Sequence, residues 1–419
     1  LEGAAGFGAP VAITAAILVG LGFKPLQSAA ICLVANIAGG AYGAMGIPVT
    51  VPATLTDLDA LTLGKNTSLI LCLVTVIIAF LIVFMVDGFK GIKETFPAII
   101  VSGGGFAITQ FIFLNFVGPE LVNVSSAIVS LLALIIFLRF WQPKQQLTAE
   151  TKEISHDKEV LTGKEVVRAW TPLILLTLFV TLLNTGFFKQ LIQPANPKTG
   201  QAAGALNSLI FNFPYYIDGT VARVAPIVKQ ATPIKAVFSF APFTSTTTAI
   251  VLAAVLTIII FRVNSRIVIS TIRETAVELW GPILTICSVL AFAYISTYSG
   301  MSSTLGLAFA NTGKIFPLFS PILGWIGVFL TGSVVNSGSP FAGLQHVTAT
   351  QIGVDPSLLV ASNIIGGAIA KMISPQSIAV AAAAVGLVNR DSEIFAKTIK
   401  WSVILLVLAG VLNLLITLR

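Results

Sequence analysis

Two stretches of the chain, NIAGGAYGAMGIP at residues 36–48 and NIIGGAIAKMISP at residues 363–375, decide how it folds. They share seven of thirteen aligned residues, among them the asparagine, the paired glycines, the methionine and the proline. A match of this kind indicates an internal repeat rather than chance similarity between alanine- and glycine-rich segments. Because glycine and proline at this density interrupt helices, each copy is predicted to be a broken or re-entrant helix.

The composition places both copies in a membrane. Of the 419 residues, 56% are hydrophobic and only 10% are charged, and the mean hydropathy is +0.95. A helix that spans the bilayer needs about 20 apolar residues. Eight uninterrupted stretches approach that length: 68–86, 97–117, 121–141, 169–186, 246–261, 279–298, 315–335 and 398–418. The sequence therefore predicts an all-α, multi-pass membrane protein with the lipid bilayer as its solvent.

A charged connector divides the chain into two halves. Residues 142–168 are rich in charged residues, five of which are Lys or Arg, and Lys and Arg near the ends of spans favour the cytoplasmic side. The first half, 1–141, contains the interrupted region 3–48, and the second half, 169–419, contains the interrupted region 336–388. The sequence thus predicts one interrupted region in each half.

The charges that follow each interrupted region predict its orientation. Successive connectors lie on alternate sides of the membrane, starting from the cytoplasmic one. Asp57 and Asp59 then lie outside, whereas Arg390, Lys397 and Lys400 lie inside. The two interrupted regions are then inverted relative to each other. Inverted repeats with broken helices are typical of secondary transporters.

The remaining composition excludes several classes of protein. Lys and Arg outnumber Asp and Glu by 24 to 17, but they lie in connectors rather than on one face, which argues against nucleic-acid binding. Three cysteines without a Cys-x-x-Cys pattern and two histidines predict neither a metal site nor a cofactor. The segment 187–245 is too long for a simple loop; interfacial helices are one interpretation, and its fold stays open.

Lys371 breaks the symmetry of the repeat, because Ala44 stands at the equivalent position of the first copy. A lysine at membrane depth costs about 2.5–3.5 kcal/mol on insertion scales, so it needs an anionic partner or a wet cavity. A substrate carboxylate is one such partner. A permanent ion pair with Glu2 and snorkelling to the surface are the alternatives.

Two residues are candidates for proton coupling, Glu2 and His346. Glu2 opens the first interrupted region, and no other carboxylate follows until Asp57. His346 lies in the stretch 315–354, which has no Asp, Glu, Lys or Arg, and imidazoles exchange protons near neutral pH. A helix-terminal role for Glu2 and a packing role for His346 remain open.

Further residues complete the predicted substrate site. Glycines in the first interrupted region expose backbone amides that attract a carboxylate, and polar side chains near both breaks offer hydrogen bonds. The equivalent asparagines of the two copies are expected either to bind substrate or to form hydrogen bonds with backbone groups that the breaks leave unpaired. These residues are Gly6, Gly8, Asn36, Ser337, Asn363, Ser374 and Gln376.

Longer strings carry a family resemblance. EGAAGFGAPVAITAA at 2–16, AYGAMGIPV at 41–49, GIKETFPA at 91–98, LAFAYISTYSG at 290–300 and KMISPQSIA at 371–379 resemble the lactate permease family, in matching order over nearly the whole chain. The resemblance implies symport of L-lactate with protons in the bacterial inner membrane, with glycolate and D-lactate as further substrates. It also implies an N-terminally incomplete chain, and an aspartate in the family where this chain has Val334.

The sequence therefore predicts a secondary active transporter that imports L-lactate and related short 2-hydroxy monocarboxylates by proton symport across the plasma membrane. An enzyme is disfavoured, since no nucleophile and base pair or metal cluster appears at membrane depth. The preferred mechanism places the carboxylate of lactate between the two interrupted regions, near Lys371. A sodium-coupled carboxylate transporter and an anion channel are the alternatives, and a homo-oligomer is left open.

Overall fold

The computed structural model describes residues 2–3, 9–143, 163–184, 209–212, 221–225, 227, 231–233, 237–240, 246–387 and 389–418. The elements in chain order are α1 (Ala9–Gly20), α2 (Pro25–Ala35), α3 (Ile37–Gly40), α4 (Gly43–Thr56), α5 (Ala60–Ile99), α6 (Gly105–Phe116), α7 (Val122–Phe140), α8 (Gly163–Asn184), β1 (Leu209–Asn212), β2 (Ala222–Arg223), β3 (Thr232–Pro233), β4 (Val237–Phe240), α9 (Thr246–Phe261), α10 (Ser265–Tyr298), α11 (Met301–Ala310), α12 (Phe316–Thr331), α13 (Val334–Ile352), α14 (Pro356–Ala370), α15 (Pro375–Ala384) and α16 (Asp391–Thr417). The chain forms two compact units, residues 1–154 with 289–419, and residues 155–288.

The helices confirm the predicted multi-pass fold. Within the described part of the chain, the stretches long and apolar enough to cross a membrane are Ala60–Phe116, Val122–Phe140, Gly313–Thr331, Pro356–Ala384 and Asp391–Thr417. Pro25–Gly40 and Gly43–Thr56 are long and apolar enough together, but they are bent by 48° at their junction, as in a broken span or a re-entrant loop. The predicted span 315–335 is too long, because Gly332 adopts the left-handed conformation and ends α12 at Thr331. A new helix, α13, then begins at Val334.

The unit formed by residues 155–288 contains α8 and α9, which pack together, and two short ladders of strands. Strand β1 pairs antiparallel with β4, and β2 pairs antiparallel with β3. These strands lie in the stretch 187–245, so the interpretation as interfacial helices is wrong for the residues that the structure describes there. The backbone N–H and C=O groups of these residues pair between strands instead of within a helix.

The two repeats break at equivalent positions of their shared motif. In the first copy, Ala44, Met45 and Gly46 all have positive φ, which interrupts α4 near its start. In the second copy, α14 ends before Lys371, and α15 begins at Pro375 after a short turn. Proline has no backbone N–H to donate, so it is well suited to the first position of the new helix.

Two helical hairpins lead into the repeats, the first formed by α1 and α2 and the second by α13 and α14, and their turns contact α5 at two widely separated points. Gln27, just after the first hairpin turn, donates from Nε2 to the carbonyl oxygen of Met85 at 3.0 Å. Asn66 instead contacts the second hairpin, donating to the hydroxyl of Ser357 and to Oδ2 of Asp355. With 1.5 Å of rise per residue, these two points on α5 are about 28 Å apart, roughly the thickness of the bilayer core.

Candidate functional site

The candidate site centres on an ion pair between Glu2 and Lys371. Nζ of Lys371 contacts Oε1 of Glu2, and the side chains of Lys371 and Glu2 are 8% and 10% exposed, respectively. Lys371 occupies the break between α14 and α15, so the pair joins the second repeat to the segment that precedes α1. The structure thus contains the ion pair that the sequence offered as the alternative to a substrate partner for Lys371.

The break in the first repeat holds Glu2 in place. The backbone N–H of Ala44 donates to the carbonyl oxygen of Glu2 at 3.2 Å, and the N–H of Met45 donates to that of Gly3 at 3.0 Å. These bonds satisfy amide groups that the interrupted helix cannot pair internally. A Cβ atom on Gly43 would lie 2.9 Å from Oε1 of Glu2, so the absent side chain leaves room for the carboxylate.

Two cavities meet at Glu2. The smaller, of about 40 Å³, is lined by Glu2, Gly40, Gly43, Ala44, Pro48, Gly332, Ser333, Val334, Val335 and Lys371. The larger, of about 240 Å³, is lined by Glu2, Gly3, Pro10, Val11, Thr14, Cys32, Ala35, Asn36, Ala38, Gly39, Phe106, Asn123 and Ala127. Since one water occupies roughly 30 Å³ of liquid, the smaller cavity holds about one water and the larger has room for a short organic acid.

The smaller cavity lies where the two repeats meet. Ala44 and Lys371, which stand at equivalent positions of the shared motif, both line it. Glu2 is the one carboxylate among its lining residues, and Val334, where the resemblance implies an aspartate, also lines it. Glu2 and Lys371 are therefore the charged residues that line this cavity.

The equivalent asparagines of the two repeats have different surroundings. Asn36 lines the larger cavity, is 8% exposed, and its Nδ2 has no hydrogen-bond partner among the described residues. Asn363 is fully buried within α14, where a Cβ atom on Gly324 of α12 would lie 1.9 Å from the Asn363 carbonyl oxygen. Asn363 therefore lies at a tight contact between helices and does not line either cavity.

The other predicted residues are spread around this centre. Ser337 donates to the carbonyl oxygen of Gly324 at 3.2 Å, and Ser374 caps α15 by accepting from the N–H of Ser377. Gln376 is exposed and packs against Gly332. His346 is partly buried on α13 and does not line either cavity. Gly6 and Gly8 lie outside the described residues.

The sequence interpretation missed Asn123. This residue stands at the start of α7, is 6% exposed and lines the larger cavity. Its Nδ2 donates to the carbonyl oxygen of Gly39 at 2.7 Å, and its Oδ1 has no partner in the described part of the chain. An asparagine beside a long apolar run was the available signal, because a polar group at membrane depth is costly unless it is paired or functional.

Comparison with known proteins identifies the family. The sequence profile of the L-lactate permease family matches residues 1–418. The L-lactate permease of Escherichia coli K12 is 49% identical over 419 residues, covering 99% of this chain and 75% of that protein. The glycolate permease GlcA of the same organism is 47% identical over 429 residues, with the same coverage. The solved YdaH transporter of Alcanivorax borkumensis covers 95% of this chain and 86% of its own at 16% identity and a TM-score of 0.40, too weak a likeness to bear on the fold. The resemblance read from the sequence motifs is thus confirmed, and the chain belongs to the L-lactate permease family.

Proposed function

We propose that the chain is a secondary active transporter that carries L-lactate and related short 2-hydroxy acids, such as glycolate and D-lactate, together with protons. The observation that carries the proposal is the buried ion pair between Glu2 and Lys371, next to a cavity large enough for such an acid. Relatives named for L-lactate and for glycolate support this class of substrate.

Competition for Lys371 links the substrate to the proton. A buried lysine needs an anion, and Glu2 supplies it when the site is empty. A substrate carboxylate that enters from the larger cavity replaces Glu2 as the partner of the ammonium group. Two carboxylates beside one ammonium leave an uncompensated buried charge, so Glu2 takes up a proton when the substrate binds.

The exchange of partners makes transport electroneutral. One anion and one proton enter together, and Lys371 always keeps a single anionic partner. An inside-negative potential opposes a lone anion by roughly 2.3 kcal/mol per 100 mV, whereas it has no effect on a one-to-one symport. Transport should therefore follow the pH gradient and be insensitive to the membrane potential.

Alternating access follows from the position of Glu2 between the two cavities. The larger cavity is bordered by α1, α2 and α7, and the smaller by the breaks of both repeats. The contacts of the two hairpin turns with widely separated points of α5 support an inverted arrangement of the repeats, in which movement of the broken helices opens one side at a time. Release of the ion pair by the substrate permits that movement.

The test is uptake of labelled L-lactate into proteoliposomes with an imposed inward proton gradient. The unmodified protein accumulates lactate, and Lys371→Ala abolishes uptake. Glu2→Gln retains exchange of external for internal lactate but loses accumulation driven by the gradient, because the amide carries no proton. Lys90→Ala, which removes an exposed lysine, is the matched control and transports normally.

Three outcomes would reject this mechanism. Accumulation that persists in Lys371→Ala would remove the lysine from the site. Accumulation that requires a sodium gradient instead of a proton gradient would favour a sodium-coupled transporter. Unsaturable flux without accumulation would favour an anion channel.

A further inference from the structure

The larger cavity brings together two amide groups from distant parts of the chain, each with an atom that lacks a partner. Asn36 stands between α2 and α3, and Asn123 stands at the start of α7. Among the described residues, Nδ2 of Asn36 has no acceptor and Oδ1 of Asn123 has no donor. Buried polar atoms are normally satisfied, so an unpaired donor and an unpaired acceptor that line one cavity mark a place where a ligand group that both donates and accepts can bind.

The orientation of the Asn123 side-chain amide is fixed by the hydrogen bond that its nitrogen donates. Nδ2 donates to the carbonyl oxygen of Gly39 at 2.7 Å. A flipped amide would place Oδ1 against that carbonyl oxygen, where neither atom has a hydrogen to share. The free atom is therefore the oxygen, which accepts hydrogen bonds and cannot donate one.

We propose that Asn123 and Asn36 recognise the 2-hydroxyl group of the substrate, an inference that rests on the transport of short acids proposed above. A hydroxyl is both a donor and an acceptor. It donates to Oδ1 of Asn123 and accepts from Nδ2 of Asn36, while the substrate carboxylate reaches Lys371. The two asparagines are specificity-determining residues, since a hydroxyl satisfies both unpaired atoms at once.

Analogues without the hydroxyl fail in different ways. The ketone of pyruvate accepts hydrogen bonds but cannot donate, so it sets two acceptor oxygens against each other at Asn123. The methylene of propionate does neither and leaves both amide atoms unpaired. A site built to bond a hydroxyl rejects the analogue that lacks it because its own polar groups are left unsatisfied.

The first experiment uses the unmodified protein and needs no variant. Unlabelled L-lactate, glycolate, 2-hydroxybutyrate, pyruvate and propionate compete with labelled L-lactate for uptake into proteoliposomes. We expect the three hydroxy acids to inhibit at similar concentrations, and pyruvate and propionate to need roughly 10- to 100-fold more. Equal inhibition by propionate and L-lactate would overturn the inference and leave lactate transport itself standing. Failure of the unmodified protein to take up L-lactate would instead reject the proposed function.

The second experiment compares Asn123→Ala with Asn115→Ala. Asn115 lies on α6 and bonds the carbonyl of Phe111 in its own helix, so its loss removes an amide without touching the cavity. In Asn123→Ala, the preference for L-lactate over propionate falls at least 10-fold, and in Asn115→Ala the preference is unchanged. Asn36→Ala gives the same loss of preference and serves where Asn123→Ala does not fold. A parallel fall in uptake of both acids, with the ratio kept, would show a structural role only and overturn the proposal.

Discussion

The two copies of the repeat are broken at the same place but by different means. In the first copy, Ala44 and Met45 adopt the left-handed conformation, which is unfavourable for residues with a Cβ atom. In the second copy, a turn at Lys371 is followed by a serine cap and a proline. The shared motif thus determines where each helix ends, and the residues that differ determine which copy carries the charge.

The paired glycines show the same divergence of roles. In the second copy, a Cβ atom on Gly366 would lie 1.8 Å from the carbonyl oxygen of Pro321 on α12. In the first copy, a Cβ atom on the equivalent Gly39 would find its nearest neighbours, Nδ2 of Asn123 and Cγ of Glu2, at 3.3 Å, a tight contact but with side chains rather than backbone. The glycine of the second copy therefore permits close helix packing, whereas Gly39 borders the site.

The largest expected effect comes from adding a methyl group to the second copy. Gly366→Ala forces the backbones of α14 and α12 apart and destabilises the fold by about 3 kcal/mol or more. Gly39→Ala is the matched change in the first copy and destabilises the fold much less, because the atoms that its methyl group meets belong to side chains. Size-exclusion profiles and thermal unfolding in detergent measure both. Equal stability of the two variants would refute the difference in packing.

A smaller effect follows from moving the charge between the copies. Ala44 lines the same cavity as Lys371 and already has a Cβ in the left-handed conformation, so Ala44→Lys adds no new backbone strain. Lys371→Ala alone loses lactate uptake by at least about 100-fold, since Glu2 is left as an uncompensated buried charge. We expect the double variant to recover a measurable part of that uptake.

The recovery has a control in the Ala44→Lys single variant. It places two ammonium groups beside one carboxylate, so it should transport less than the unmodified protein. A double variant no more active than Lys371→Ala would mean that the two copies are not interchangeable around Glu2.

The sequence predicted the breaks but not the partners of the residues inside them. Glycine, proline and apolar run length act locally, so the interrupted regions and most spans could be placed from them. Hydrogen-bond partners come from tertiary contacts. Ser374 caps its own helix, Asn363 lies between two helices, and Asn123 bonds Gly39, 84 residues away. The ladder between β1 and β4 was not predicted for the same reason, since it pairs residues as distant in the chain as Leu209 and Phe240.

The smallest effect tests the turns that precede α2 and α14. Lys24 and Asp355 each lie directly before the proline that begins the helix, and both are exposed. Oδ1 of Asp355 accepts from the N–H of Ser357 at 2.9 Å, whereas Lys24 makes no side-chain cap. Asp355→Ala should lower the free energy of unfolding by about 0.5–2 kcal/mol, as loss of a helix cap does, and Lys24→Ala should change it by less than about 0.5 kcal/mol. Thermal unfolding in detergent compares the two. A larger loss for Lys24→Ala would mean that the positive charge, rather than the cap, stabilises these turns.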